Sequence, residues 1–131
     1  MIRGGAWLLA VFCLGCAPPP ADPLKDTLPV PGGRARLGSP EAPAENPPHT
    51  VRLASYRLGR MEVTVAQYCR FLNATGRAPG ARRDPAIERA GASWRPARGR
   101  AGWPASCLTR ADAEAYCRWL SEGSGRIVRL P

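Results

Sequence analysis

The clearest pattern in the chain is a run of apolar residues that begins after Thr64. These residues recur at helical intervals and share one face of a helix: Val65, Tyr68, Cys69, Phe71 and Leu72. Thr64 and Gln67 have the spacing of a capping box, and Gly76 is a residue type that commonly ends helices. The sequence therefore predicts a helix between Thr64 and Gly76.

A second helix is predicted near the end of the chain by the same signals. Thr109 is the predicted N-cap, and Asp112 lies at position N3 of the same capping box. Gly123 marks the expected end of the helix. The apolar residues of this segment also have helical spacing: Ala113, Tyr116, Cys117 and Leu120. Residues 126–130 are predicted to begin another strand or an extended segment.

Short strands are predicted ahead of the first helix. Apolar and polar residues alternate over 50–53 and 56–58, and residues 32–39 form a further short strand between glycine turns. Between the helices, residues 77–103 hold seven Arg and two Trp without a clear period. We expect a long surface loop there. The alternative is a surface whose Arg and Trp side chains stack on bases or sugars and pair with phosphates.

The first residues have the pattern of a secretory signal peptide. Arg3 supplies a positive charge, residues 6–14 are nine consecutive apolar residues, and small residues follow. A bilayer-spanning helix needs about 20 apolar residues, so this run is too short to be a membrane anchor by itself. A short core helix is the alternative, although the prolines at 18–20 would end it at once.

The residues around Cys16 resemble the bacterial lipobox, in which a cysteine thiol is diacylated and becomes the first residue of the mature protein. Leu14 and Gly15 fit this motif, whereas Cys13 stands where Leu is usual. Secretion without lipidation is the alternative. We expect residues 1–15 to be a signal peptide and Cys16 to be the lipidation site, so that an exported protein is anchored to the membrane of the cell envelope through its lipid.

A proline-rich tether is predicted between the anchor and the folded domain. Ten of the 32 residues from 17 to 48 are proline, and the apolar residues among them show no period. Such segments favour extended, semi-rigid conformations. We assign residues 16–31 to the lipidated cysteine and the tether, and residues 32–131 to the domain.

Length and charge narrow the class of protein. With 131 residues, the chain has room for one small domain, which excludes a large enzyme, a multidomain receptor and a polytopic membrane protein. A net charge of +9 favours an anionic partner, but the 19 basic residues include only one Lys. Such an Arg excess also follows from GC-rich coding, so we expect no nucleic-acid partner.

Five short motifs follow one another along the predicted domain. They are Gly-Gly-x-x-x-x-Gly-Ser at 32–39, Pro-His-x-Val at 48–51, Glu-Val-Thr with Gln-Tyr and Phe at 62–71, Asp-Ala-x-Ala-Tyr-Cys-x-Trp-Leu at 112–120, and Arg-Leu-Pro at 129–131. No single motif is specific. Their order and spacing resemble the formylglycine-generating enzyme family, whose domains are also called sulfatase-modifying factor domains.

The resemblance implies an irregular α+β fold similar to that of C-type lectins, incomplete at the C-terminus. The type activity of the family oxidises a sulfatase cysteine to formylglycine with O₂, a pair of active-site cysteines and copper. Relatives include iron-dependent sulfoxide-forming oxygenases and lipoproteins without known catalysis. The resemblance also places residues 129–131 in the middle of the family domain, before the catalytic cysteines and the metal sites. We therefore assign no catalytic, cofactor-binding or metal residue here and expect neither copper nor iron in this chain.

The residues with reactive side chains support the same expectation. The single histidine, His49, matches a Pro-x-His pattern of the family and is interpreted as a structural hydrogen-bonding residue. Cys69 and Cys117 lie on the apolar faces of the two predicted helices, where a structural role is expected for Cys117. Cys107 is placed just before Leu108 in a predicted strand. Outside the cytoplasm two of these three thiols could pair, and the sequence leaves open which.

Two departures from the family pattern affect stability. Ala35 and Leu37 stand where large residues are usual, and Arg110 stands where Trp is common. Losing a buried aromatic residue costs about 3–5 kcal/mol, against a typical stability of about 5–15 kcal/mol. Half a domain of this composition is therefore expected to be marginal on its own.

Three functions remain open from the sequence. The first is an exported, lipid-anchored protein whose partial domain is catalytically silent. The second is a small surface lipoprotein whose lectin-like domain binds a protein or glycan partner. The third is half of a metal-dependent oxidase or oxygenase whose other half is supplied by another chain.

Overall fold

The computed structural model describes residues 22–41, 46–80 and 83–131. The predicted signal peptide and Cys16 lie outside the described residues. Within them, the chain forms the expected mixed α+β fold, and no helix is long and apolar enough to cross a membrane. The elements are β1 (Thr27–Val30), β2 (Gly33–Leu37), β3 (His49–Leu53), β4 (Tyr56–Gly59), α1 (Val65–Thr75), β5 (Ile87–Ala90), β6 (Ser93–Pro96) and α2 (Arg110–Ser124).

Strands β1 to β4 form one antiparallel hairpin that is interrupted in its middle, here called the N-terminal hairpin. β1 pairs with β4 and β2 pairs with β3, and both pairs keep the same register. The interruption falls at residues 31–32, opposite residues 54–55, because Pro31 has no N–H to donate to the ladder. A Cβ atom on Gly32 would lie 2.8 Å from the carbonyl oxygen of Leu53, so only glycine permits this close approach of the two arms.

Helix α1 is capped as the sequence predicts. The Thr64 hydroxyl accepts a hydrogen bond from the backbone N–H of Gln67 at 3.3 Å, and the Thr64 N–H donates to the Gln67 side chain at 2.9 Å. Gly76 ends the helix in the left-handed conformation, with φ of 66°. Both predicted ends of this helix are confirmed.

The loop before α2 closes over the start of α1. The backbone N–H of Val65 donates to the carbonyl oxygen of Trp103 at 2.8 Å, and that of Ala66 donates to Ala101 at 3.0 Å. The first N–H groups of a helix have no partner within the helix. The loop therefore satisfies donors that the capping box leaves free.

Strands β5 and β6 form a second hairpin within residues 77–103. The prediction of a long surface loop over these residues is therefore corrected. Asn73 of α1 binds this hairpin at two points. Its side-chain NH₂ donates to the carbonyl oxygen of Trp94 at 2.8 Å, and the Trp94 N–H donates to the Asn73 side-chain oxygen at 2.7 Å. The indole N–H of Trp94 donates to the carbonyl oxygen of Arg77 at 3.1 Å. One polar side chain thus docks the hairpin on the helix.

The hydrophobic core lies between α1, the β5–β6 hairpin and α2. Aromatic rings join the two helices, with the Phe71 and Tyr116 ring centroids 5.5 Å apart edge-on and the Phe71 and Trp119 centroids 5.7 Å apart. All the apolar residues predicted for the buried face of α1 are buried. The buried apolar residues of the described chain are Val65, Tyr68, Cys69, Phe71, Leu72, Ala86, Ile87, Ala115 and Tyr116.

Helix α2 confirms its predicted start and corrects its predicted end. Thr109 and Asp112 form a complete capping box, but the helix continues past Gly123 and ends at Gly125, which adopts the left-handed conformation. The predicted burial of Tyr116 is confirmed, but the other buried residue of the helix is Ala115, whereas the predicted Ala113 is half-buried. The face of α2 that contacts the core is the one that carries Tyr116 and Trp119, because these two rings pack against Phe71 of α1.

Other predicted boundaries also shift. β1 lies within the segment 16–31 that was assigned to a tether, so regular structure begins before Gly32. Cys107 lies in a bend with φ of 57°, not in a strand. Residues 126–131 have no regular structure, although the N–H of Val128 donates to the Ser121 hydroxyl at 2.9 Å.

Removing the Tyr116 hydroxyl is expected to stabilise the protein. Tyr116 is only 4% exposed, and its hydroxyl has no hydrogen-bond partner among the described residues. A buried, unpaired polar group costs about 1–3 kcal/mol, and Tyr116→Phe removes the group while keeping the ring. We expect the free energy of unfolding, measured by urea denaturation, to rise by about 1 kcal/mol. Phe71→Ala should lower it by about 3–5 kcal/mol, and a loss of stability in Tyr116→Phe would show that the hydroxyl is bonded.

Candidate functional site

A buried carboxylate joins the two loops that flank the β5–β6 hairpin. The Asp84 carboxylate accepts a hydrogen bond from the Ala86 N–H at 2.8 Å. It also accepts bonds from the Ser106 N–H at 2.7 Å and the Ser106 hydroxyl at 2.9 Å. Asp84 precedes β5 and Ser106 precedes α2, so this carboxylate joins two positions that are 22 residues apart in the sequence.

The electrostatic environment keeps Asp84 ionised. Burial raises its pKa, but the hydrogen bonds from Ala86 and Ser106 and the charge of Arg100 oppose this, and the net pKa lies below its ordinary value. An ionised carboxylate with a low pKa is a weak general base. The arrangement is therefore suited to holding loops together and not to activating the Ser106 hydroxyl.

The single histidine is engaged elsewhere. His49 begins β3, and its Nδ1 donates to the carbonyl oxygen of Pro47 at 2.8 Å. This bond agrees with the predicted structural role. Among the described residues, Ser106 is bonded to Asp84 and to no imidazole, so the structure shows no nucleophile paired with a histidine base.

The three described cysteines are free thiols in different environments. Burial, and to a smaller extent the charge of Asp84, raise the pKa of Cys69 to about 11. Burial and then the charge of Glu114 raise the pKa of Cys117. The thiolate is the reactive form of cysteine, so burial makes Cys69 and Cys117 less reactive, whereas Cys107 is exposed.

Metal ligands do not converge in the described part of the chain. No three His, Cys, Asp or Glu side chains there come together as a metal site. A copper or iron centre needs several such donors at bonding distance. The absence of a cofactor from the whole chain stays a prediction.

The arginine and tryptophan side chains of the region 77–103 contact one another. The Arg100 guanidinium lies 4.3 Å from the Trp103 ring centroid, and that of Arg89 lies 5.5 Å from the Trp94 ring centroid. Trp94 also packs against the core. These contacts favour a structural role for both residue types over base stacking.

An open cavity of about 510 Å³ lies between the N-terminal turn and the end of α2. Basic side chains of Lys25, Arg70 and Arg126 line it together with Asp22 and the Trp119 ring. Burial is the main cause that raises the pKa of the nearby Tyr116 hydroxyl to about 12, while the charge of Arg70 lowers this pKa and that of Asp22 raises it. The hydroxyl is therefore neutral and cannot act as a base at physiological pH.

The model of the sulfatase-modifying factor enzyme 1-like domain family matches residues 15–131. The chain belongs to this family. The match confirms the family assignment suggested by the sequence motifs. No curated protein matched the chain.

A solved structure with a similar fold shows how much of the domain is present. PvdO from Pseudomonas aeruginosa is similar in fold, with a TM-score of 0.59 and 26% sequence identity over 79% of this chain and 42% of that chain. The sulfatase-modifying factor fold is thereby confirmed. The chain spans about two fifths of the length of PvdO, so its domain is partial relative to that structure.

Replacing Asp84 by Asn is expected to destabilise the domain in a pH-dependent way. The folded-state pKa of Asp84 is lowered, so its contribution is present above the unfolded pKa of about 3.9 and is lost as the pH falls through the folded pKa. We expect Asp84→Asn to lower the free energy of unfolding by about 2–3 kcal/mol at pH 7. The difference from wild type should shrink below pH 4.

Thermal and urea denaturation between pH 3 and pH 7 measure this effect. Glu122→Gln is a suitable control, because Glu122 is exposed on α2. An Asp84→Asn variant as stable as wild type at pH 7, or a difference that is the same at pH 3, would contradict the role of the ionised carboxylate.

Alkylation of the folded chain should distinguish the three described thiols. We expect iodoacetamide at pH 8 to modify Cys107 first, Cys117 more slowly and Cys69 only when urea unfolds the chain, because burial raises the pKa of the latter two. Peptide mapping by mass spectrometry gives the order. Modification of Cys69 at the rate of Cys107 would show that the core opens readily.

Proposed function

We propose that this chain is an exported protein, held in the cell envelope by a lipid on Cys16, whose partial sulfatase-modifying factor domain is catalytically silent on its own. The observation that carries the proposal is the chemistry of the described domain. Its described residues bring no three metal ligands together, and burial raises the pKa of two of its three described thiols. The match to only 42% of PvdO agrees with a domain that holds part of its fold.

The silence follows from what oxidation of a thiol requires. The family's type activity depends on two active-site cysteines and a metal, and a cysteine ligates a metal as its thiolate. Cys69 lies in the core, where burial and then the negative charge of Asp84 raise its pKa to about 11. Cys107 is exposed, and its sulfur accepts a hydrogen bond from the Ser106 hydroxyl at 3.8 Å. None of the three described thiols therefore lies in an environment that supports oxidative chemistry.

The proposed location rests on the first sixteen residues. A short apolar run behind a positive charge directs export, and lipidation of Cys16 would hold the mature protein at the membrane through two or more acyl chains. The membrane would then be the chain's constant partner. We propose no nucleic-acid partner, since Trp94 packs against the core and Trp103 is covered on one side by Arg100.

Lipidation is tested by replacing Cys16. We expect wild-type protein to incorporate labelled palmitate and to fractionate with membranes, and Cys16→Ser to lose the label and accumulate as an unprocessed precursor. Cys107→Ser is the control, because it removes an exposed thiol that lies outside the lipobox residues. Normal processing of the Cys16→Ser variant would reject the lipid anchor.

Catalytic silence is tested with the metals of the family. We expect the purified chain, supplied with Cu(I) or Fe(II) and a thiol substrate, to consume oxygen no faster than buffer containing the same metal and thiol. An oxygen electrode measures the rate. Metal-dependent consumption that saturates with thiol substrate and disappears in Cys107→Ser would overturn the proposal and favour an oxidase.

A further inference from the structure

One face of the β2–β3 half of the N-terminal hairpin carries arginine and hydroxyl side chains only. In antiparallel strands, residues directly opposite each other lie on the same face, and alternate residues share that face. Arg34 lies opposite Arg52, and Arg36 lies opposite Thr50. All four residues are exposed. We call this surface the basic face; its members are Arg34, Arg36, Thr50 and Arg52.

The positive charge of this half is confined to one side of the two strands. The other side is apolar and carries Leu37 and Leu53, which are 49% and 47% exposed. A surface with charge on one side only presents its arginines together to whatever lies over that side.

The arginines of the basic face are not neutralised by the rest of the described chain. Among the described residues, no ion pair, side-chain hydrogen bond or ring contact involves Arg34, Arg36 or Arg52. Strands β5 and β6 are different, because Arg95 there lies opposite Glu88, with 2.8 Å between Nε and Oε1. Like charges directly opposite each other destabilise a sheet. An anion bound over Arg34 and Arg52 would remove this repulsion.

The spacing of the basic face suits several phosphate groups arranged in a plane. Side chains directly opposite each other in a sheet have Cβ atoms about 5 Å apart, and alternate residues of one strand lie about 7 Å apart. A guanidinium group binds a phosphate through two parallel hydrogen bonds. An open cavity of about 590 Å³ beside Arg52, also lined by Ser55 and the two glycines at 32–33, gives one such group room to approach the backbone.

The proposed lipid on Cys16 determines which phosphate groups this face meets. Strand β1 begins eleven residues after Cys16, and β2 begins six residues later. Eleven residues span at most about 40 Å, so the hairpin is the first described sheet beyond the anchor and is held close to the bilayer. A tethered surface meets its ligand at a high effective concentration. Each arginine near an anionic bilayer strengthens binding by about fivefold.

We infer that the basic face binds the phosphate groups of anionic phospholipids in the membrane that holds the anchor. Arg34, Arg36 and Arg52 each pair with a headgroup phosphate, and the hairpin lies along the bilayer surface. The domain thus has one orientation on the membrane instead of turning freely about its tether. The location of the contact rests on the proposed lipidation of Cys16, whereas the affinity for anionic lipid belongs to the face itself.

Vesicle binding by the full chain with Cys16→Ser tests the inference, because this chain carries no lipid of its own. One set of vesicles is phosphatidylcholine, and the other also contains about 30% phosphatidylglycerol. The apolar run at 6–14 contributes to both alike, so the ratio of the two partition constants isolates the effect of anionic lipid. We expect Arg34→Gln, Arg36→Gln and Arg52→Gln each to lower this ratio by about fivefold, and the triple variant by about a hundredfold.

A second triple variant with the same loss of charge is the matched control. It replaces three exposed arginines outside the hairpin by Gln, namely Arg98, Arg118 and Arg129. We expect its ratio to stay within about fivefold of the unsubstituted arginine set, because these side chains do not belong to the basic face. An equal loss in both triple variants would show a general effect of net charge and would overturn the inference.

Hydrogen exchange provides a measurement that needs no arginine variant. Vesicles with phosphatidylglycerol should slow the amides of β2 and β3 and leave those of α1 unaltered, and neutral vesicles should slow neither. Unaltered β2 and β3 amides would overturn the inference.

Two competitors distinguish membrane phosphate from other anions. We expect neither inorganic phosphate nor polygalacturonate, at constant ionic strength, to release the chain from the anionic vesicles. Release by inorganic phosphate would assign the face to a free phosphate, release by polygalacturonate would assign it to an acidic glycan, and either would overturn the inference. Loss of palmitate labelling with an intact lipid ratio would reject only the anchor, whereas a labelled chain with a ratio near one would reject only the basic face.

Discussion

The burial of one face of α1 is the interaction on which the rest of the described structure depends. Phe71 meets Tyr116 and Trp119 of α2, and Asn73 holds the backbone of Trp94 in β6. Each large apolar side chain contributes about 1.5–3 kcal/mol when it is fully buried. The short β5–β6 hairpin could not persist without that surface, so the helix is both the centre of the core and the support for the other elements.

What the sequence predicts well is encoded locally. The capping boxes of Thr64 and Thr109 join residues three positions apart, and the apolar spacing of α1 recurs with each turn. The β5–β6 hairpin is not predicted, for two reasons. Only one side chain of β5, Ile87, is fully buried, which is too few for an apolar pattern. The hairpin also docks through Asn73, which lies 21 residues before its partner Trp94. Strand β1 is not predicted for another reason. Its Pro29 signals an irregular segment, although an edge strand tolerates proline.

The Asp84 junction shows why the candidate site could not be predicted. In the sequence, Asp84 follows an arginine-rich segment and has the pattern of a solvated surface residue. Its partner Ser106 is 22 residues away, and no spacing rule connects them. Only the fold turns this carboxylate inward, where the bonds from Ser106 and Ala86 offset the cost of burying a charge. The low exposure of Cys69 was predictable from helical periodicity, but the effect of Asp84 on its pKa was not.

The interruption of the N-terminal hairpin connects its sequence to its uncovered surface. Leu28 and Val30 are two residues apart, as are Ala35 and Leu37, but the odd spacing between Val30 and Ala35 changes the phase of the alternation. An unbroken ladder would place the apolar residues of the two halves on opposite sides. Pro31 and Gly32 fall at this change of phase and break the ladder there, so each half keeps its own apolar face.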